Sequence, residues 1–311
     1  MKVGRITIAL SLLAPLIGAT SVRADGGLDP TWGVGGVQCA SGGFGSDIEL
    51  LGNGSMYTTG YYNGPFQMVV NRSLSTSLPD NTFDGDGTRV VTELGTPYTA
   101  GSRSEDLVVM SDTDLMLVGY GWATGTDTEI VVVRLTSSGA LDTTFSGDGI
   151  LALDPSANDD YAFAGIELSD GDLMIAGYSS TLLTNTDLYM ARINADGTLD
   201  TSFDGDGQLT LDLSGSDMYY DMVRRSDGTF LLGGKSNVRF AVAAVTGAGA
   251  LDTSFNTDGY STINTLVGEA SSMALQSDGK IVLGGKANIG SNDTFVVSRL
   301  TNNGDLDTTF N

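Results

Sequence analysis

Apolar positions along the chain come in short runs separated by clusters of Gly, Asp, Asn and Ser. Between residues 150 and 193 the runs are ILALD (150–154), AFAGIEL (162–168), LMIAGY (173–178) and LYMARI (188–193). Short apolar or alternating runs bounded in this way read as β-strands. No segment of useful length keeps a helical period between its turn clusters. The pattern therefore predicts an all-β chain of short strands.

The pattern repeats. An Asp followed three residues later by an aromatic residue recurs at Asp29/Trp32, Asp80/Phe83, Asp142/Phe145, Asp200/Phe203, Asp252/Phe255 and Asp307/Phe310, with Asp spacings of 51, 62, 58, 52 and 55. A fixed period of this size marks a repeat architecture. Hairpin signals share the register: GNGS (52–55), SDTD (111–114), SDGD (169–172), SDGT (226–229) and SDGK (277–280). Asn-Gly and Asp-Gly suit a two-residue turn with positive φ at both positions. Seven residues past each turn Asn or Asp stands a glycine, at Gly60, Gly119, Gly177, Gly234 and Gly285. An Arg precedes the junction Asp by eight residues at Arg72, Arg134, Arg192 and Arg299; the fourth unit has Ala244 there.

Four strands per unit of this length predict one propeller blade per unit. A blade cannot cover both of its faces alone, and stacking supplies the cover. The expectation is one domain over 25–311, with units at about 28–78, 79–140, 141–198, 199–250 and 251–305 and a terminal junction copy at 306–311. This gives a β-propeller of five four-stranded blades; an open array of the same sheets is the rival arrangement. The junction, typified by LDTTFSGDG (141–149), reads as the hinge from one blade to the next.

The combined pattern resembles the delta-60 repeat of bacterial exported proteins. The text that carries the likeness is RINADGTLDTSFDGDG (192–207), RLTSSGALDTTFSGDG (134–149) and RLTNNGDLDTTF (299–310), over about residues 27–311. The resemblance implies a secreted β-propeller without an assigned activity. The first unit departs from it with LDPTWGVGG (28–36), and the fourth lacks the Arg.

Composition narrows the function. Lys2 and Arg5 precede a 14-residue apolar run (6–19), and Val22 and Ala24 occupy the small-residue positions of a cleavage site. This reads as a secretory signal cut after Ala24, too short to be a membrane span. The expected location is periplasmic, extracellular or on the cell surface. Removing 1–24 leaves 12 Lys and Arg against 38 Asp and Glu. So acidic a chain argues against nucleic acid and anionic lipid as partners. The chain has no His and one cysteine, Cys39. That excludes Ser-His-Asp triads, Cys-His pairs, ordinary zinc sites and internal disulfides.

Residues repeated in every unit answer needs that every unit shares. Phe145, Phe203 and Phe255 read as plugs between blades, Asp142 and Asp200 as partners of Arg134 and Arg192, Asp252 as the same junction Asp without its Arg, and the glycines as turn formers. The acids of FDGDG, Asp84, Asp86, Asp204 and Asp206, are calcium candidates, but two or three acids without a closing Glu fit Asx-turn chemistry better. No cofactor is expected.

Binding should lie on the other face, where the loops vary. Its column of first residues is Tyr61, Tyr120, Tyr178, Lys235 and Lys286, with Trp122 nearby. Asp159, Asp160, Asp217, Tyr219, Tyr220 and Glu269 lie on the neighbouring loops, and Asp47, Asp106 and Asp221 stand thirteen residues before the glycine column. Aromatics beside carboxylates suit a sugar, and tyrosines capping strand ends would look the same. The two function classes are a non-catalytic module binding a glycan or protein, and a carbohydrate-active enzyme with paired carboxylates drawn from Asp47, Asp106 and Asp221.

Overall fold

The computed structural model describes residues 6–7, 43–62, 66–95, 97–123, 127–182, 185–290 and 292–310. The readings of 1–24 as a signal, of Asp29/Trp32 and of Cys39 fall outside the described residues, apart from a two-residue strand, β1 (Ile6–Thr7), on the edge of the first sheet. Among the described residues there are strands and turns and no helix.

The first sheet holds β1, β2 (Gly43–Leu50), β3 (Met56–Tyr62), β4 (Gln67–Ser73) and β5 (Thr88–Val90). The second holds β6 (Ser102–Val109), β7 (Leu115–Trp122), β8 (Thr128–Leu135) and β9 (Ile150–Leu153). The third holds β10 (Asp160–Glu167), β11 (Leu173–Leu182), β12 (Asn185–Ile193) and β13 (Gln208–Leu211). The fourth is six-stranded: β14 (Asp217–Arg224), β15 (Phe230–Ser236), β16 (Arg239–Val245), β17 (Tyr260–Leu275), β18 (Ile281–Ile289) and β19 (Asn292–Leu300). All pairs are antiparallel between sequence neighbours. Five separate blades were expected and four sheets are found. The difference lies in β17, whose first residues pair with β16 and whose last eight pair with β18, so no break divides that sheet.

Two expectations about the junction need correcting. Ile150–Leu153 pairs with β8 and not with β10, so LDTTFSGDG connects the third and fourth strands of one sheet. The sequence unit and the sheet are offset by one strand, and the crossing to the next sheet follows the fourth strand. The DG hairpins also differ from the two-residue form. Only their second residue takes positive φ, at Gly54, Gly171, Gly228 and Gly279, with Thr113 at 79° in the second unit.

The core lies between successive sheets. Phe83 joins Tyr57 and Met68 of the first sheet to Leu107 and Val131 of the second. Phe145 does the same between the second and third, and Phe203 between the third and fourth. Phe255 sits between the two halves of the fourth. Each is at most 2 % exposed, and burial of a phenyl group stabilises by roughly 1.5–3 kcal/mol. Backbone amides reinforce each step: Asp84 donates to the Ser138 carbonyl, Ser146 to Asp196, Asp204 to Ala248 and Asn256 to Asn303.

Candidate functional site

Every inner strand carries one β-bulge at the same register. The pairing shifts between Gly45 and Asp47, Ser104 and Asp106, Ala162 and Ala164, Tyr219 and Asp221, and Ala270 and Ser272. The extra residues are Ser46, Glu105, Phe163, Tyr220 and Ser271. A bulge bends its strand and re-aims a side chain. It also explains the glycine column, which lies within strands and not in turns as expected. A Cβ on Gly60, Gly119, Gly177, Gly234 or Gly285 would come within 1.9–2.1 Å of a carbonyl oxygen of the bulged strand. Only glycine admits that approach.

The bulge also assigns Asp47, Asp106 and Asp221, which were expected to line an opening. They are buried and reach the inner strand of the following sheet. Asp47 accepts from the Leu107 amide at 3.2 Å, Asp106 from Gly165 at 2.6 Å and Asp221 from Met273 at 2.7 Å. Each partner follows the next strand's bulge by two residues, so these carboxylates fasten strand to strand.

The junction motif is likewise fully engaged. Arg134 reaches Asp142 at 2.9 Å and the hairpin acids Asp112 and Asp114 at 2.6 and 3.3 Å; Arg192 meets Asp200, Asp170 and Asp172 at 2.8, 2.6 and 2.9 Å. Arg72 pairs with Asp80, and Arg299 with Asp307. In the fourth unit, where Ala244 replaces the Arg, Asp252 holds the Ser254 hydroxyl and amide. Of the calcium candidates, Asp86 and Asp206 accept from the amides two residues on, and Asp84 and Asp204 take φ of 49°. These are turn geometries. Elsewhere among the described residues one trio, Asp187, Asp212 and Asp217, brings ligand atoms within 4.8 Å of one another.

On the opposite face the column residues sit across from inner-strand residues in a constant register: Phe44↔Tyr61, Arg103↔Tyr120, Tyr161↔Tyr178, Met218↔Lys235 and Glu269↔Lys286. Their rings form a continuous belt. Tyr61 meets Phe66 at 5.6 Å, Phe66 meets Trp122 at 5.7 Å, and Trp122 meets Tyr120 at 5.3 Å. Tyr120 meets Tyr161 at 4.7 Å, Tyr161 meets Tyr178 at 5.0 Å, and Phe163 stacks on Tyr178 at 5.5 Å and touches Tyr220 at 5.3 Å. The Arg103 guanidinium lies over Tyr61 at 4.2 Å and Tyr120 at 5.8 Å. The belt ends in charge: the Tyr220 hydroxyl donates to Glu269 at 3.5 Å, and Glu269 takes Lys235 at 3.1 Å and Lys286 at 3.3 Å. Tyr120 is buried; Tyr61, Tyr161, Phe163, Tyr178 and Tyr220 are half-buried and Phe66 is exposed.

Two carboxyls at this belt are tuned in opposite directions. Burial pushes Glu105 above the usual carboxylate range, against the pull of Arg103 at 3.2 Å and hydrogen bonds with Tyr120 and Ser46. Burial also acts upward on Glu269, but Lys235 and Lys286 outweigh it and hold the group below its usual range. Behind the belt, burial raises Asp160 to about 6 and Asp217 upward, opposed by hydrogen bonds from serines. Of the neighbouring residues expected on this face, Tyr219 is instead core, and Asp159 accepts from the Thr128 amide.

Sequence reading missed Phe44, Phe66, Arg103, Glu105, Tyr161 and Phe163. The bulge residues stand fourteen before the glycine column, next to the Asp column that was singled out.

Three segments, 115–145, 168–203 and 276–310, match a domain of unknown function described as a β-propeller, DUF5122. The match supports a β-propeller repeat family of unknown function, and the all-β fold described above is a β-propeller. No curated protein matches the chain. Among solved structures, Drosophila Semaphorin 2a is 9 % identical with a TM-score of 0.52, covering 86 % of this chain and 49 % of its own. That is a likeness of fold alone. An endo-arabinase from Bacteroides thetaiotaomicron is 11 % identical with a TM-score of 0.43, covering 81 % and 92 %.

Proposed function

We propose that this is an exported, non-catalytic binding module of the delta-60 type, built of five blade units, that takes a glycan along the aromatic belt. The five-unit count takes the six-stranded sheet as two blades sharing β17. The observation that carries the binding reading is the unbroken run of rings from Tyr61 to Tyr220, ending at Lys235, Glu269 and Lys286. Ring faces stack on the C–H faces of sugars, and directed polar groups beside them fix orientation. Phe66, Tyr161, Phe163 and Tyr178 supply the first, and Arg103, Glu105, Glu269 and Lys286 the second. Irregular loops on a rigid scaffold are where binding concentrates.

A glycan array with the purified protein tests this. Phe163→Ala and Tyr178→Ala should weaken binding by at least about tenfold, the loss of roughly 1.4 kcal/mol, with the melting temperature little changed. Unaltered binding in both variants refutes the reading. Chelation of calcium should leave melting unchanged, because the junction acids serve turns. Export is tested by the N-terminus of the secreted protein, expected at Asp25.

A second reading, a carbohydrate-active enzyme, draws on the opposite shifts of Glu105 and Glu269. Carboxyls pushed apart in pKa are the pattern of an acid and its ionised companion. Release of reducing ends, abolished by Glu105→Gln, would establish it over the first.

A further inference from the structure

Strand register gives the same three positions at every crossing from one described unit to the next. One lies at the start of the third strand, one just past the pairing of the fourth strand, and one at the start of the following inner strand. At the first crossing they hold Gln67, Thr92 and Ser102, and at the second Glu129, Asp154 and Asp160. At the third they hold Asp187, Asp212 and Asp217, and at the fourth Arg239, Asn264 and Gly268. The first set has no charge. The second has three acids, of which Glu129 takes the Tyr98 hydroxyl and Asp160 the Ser156 hydroxyl at 3.0 Å. The fourth carries its own cation, Arg239, whose guanidinium donates to the Asn264 carbonyl.

The third set differs at Asp217, which is 0 % exposed. Its Oδ2 accepts the Leu213 amide at 2.9 Å and the Ser214 amide at 3.1 Å. Its Oδ1 is buried and receives no hydrogen bond. The Ser236 hydroxyl, cross-strand from it, donates to the Ser214 carbonyl at 3.4 Å. A buried carboxylate oxygen without a donor is costly and calls for a partner. We propose that Asp187, Asp212 and Asp217 bind one calcium ion at the crossing from the third sheet to the fourth. Ligand atoms within 4.8 Å of one another fit one calcium shell, whose oxygens stand about 2.3–2.6 Å from the ion. An all-carboxylate set suits calcium and not zinc, and magnesium demands a smaller, stricter shell. Asp212 is exposed, so water completes the coordination. The two buried ligands are held in place by their neighbours, because Thr186 and Ser216 share a hydrogen bond at 2.7 Å. The ion would tie β12, the end of β13 and the start of β14 together beside the belt, since Leu188 pairs with Tyr178 and Met218 with Lys235. The site stands whether or not the belt binds a glycan.

Three carboxylates with one exposed place this site among the weak calcium sites of extracellular modules, at about 0.1–1 mM. Protein purified without added calcium therefore holds little of it, chelation leaves its melting unchanged, and addition is the readout. Calcium chloride at about 10 mM should raise the melting temperature of the full chain by a few degrees, and calorimetry should count one ion per chain. Magnesium at the same concentration should give less than about half that rise. Asp212→Asn and Asp217→Asn should each weaken calcium binding by at least about tenfold, and Glu129→Gln at the second crossing should leave it unchanged. Should Asp217→Asn fail to fold, Asp212→Asn, at an exposed position, carries the test. No calcium binding by the wild-type chain overturns the proposal, as does an equal response to magnesium. A calcium response that Asp212→Asn retains, or that Glu129→Gln loses to the same extent, overturns the assignment to this trio.

Discussion

On the junction face, Asp142 accepts the hydroxyl and amide of Thr144 and pairs with Arg134; on the opposite face, Asp160 accepts from the hydroxyl and amide of Ser156, with no cation bound to it in an ion pair among the described residues. The consequences are opposite in sign. The Thr144 hydroxyl and amide, with Arg134, hold Asp142 below its usual range, and the Ser202 amide and hydroxyl, with Arg192, do the same for Asp200. Burial lifts Asp160 to about 6. Repetition goes with the first environment and divergence with the second. Each described junction carboxylate is held by the residue two positions on, and by an Arg where the unit has one, and the positions where units differ are where desolvation and ring contacts accumulate.

The largest test of this contrast sets a plug against a belt ring. Phe203 is fully buried among Leu188, Met190, Leu209 and Leu232. Phe203→Ala should cost about 3–5 kcal/mol in denaturant unfolding, a large part of a typical domain's stability, and leave binding by the surviving folded protein intact. Phe163→Ala should do the reverse. Equal loss of stability from both would remove the distinction between the faces.

The next effect is in pH. Depressed carboxyls such as Asp142 and Asp200 contribute stability above their unfolded pKa near 4, and it is lost as pH falls through the lower folded value. A raised carboxyl such as Asp160 contributes stability that is complete below about 4 and lost as pH rises through about 6. Relative to Asp160→Asn, the wild-type protein should therefore lose about 2 kcal/mol between pH 4 and 7. Parallel stability curves for the two proteins would show that Asp160 does not titrate in that window.

The junction was legible because its residues act on each other locally: Arg and Asp eight apart meet across one turn, and Phe145 sits three residues from Asp142. The strand offset was not, because pairing of β9 with β8 and not β10 leaves no mark in either strand's own pattern. The glycine column was visible, but its cause is a bulge in a different strand, and period-two reading has no place for an inserted residue. That one residue separated the expected Asp106 from Glu105, and Asp221 from Tyr220. The column Tyr61, Tyr120, Tyr178, Lys235 and Lys286 was found as a column, while its cross-strand partners needed the register.

The smallest effect tests whether the repeated face follows one backbone rule. The hairpins of four units place glycine at φ of 83–95°, and the second places exposed Thr113 at 79° with the same pair of bonds, Thr113 amide to Met110 carbonyl and Met110 amide to Asp114 carbonyl. A β-branched residue in this region costs about 1–2 kcal/mol, and glycine returns part of that through the greater freedom of the unfolded chain. Thr113→Gly should thus raise stability by up to about 1 kcal/mol, seen as a rise of a few degrees in melting temperature, with binding unchanged. A fall in melting temperature would mean that Thr113 contributes contacts worth more than its strain, and that the second hairpin departs from the rule by design of its own surroundings.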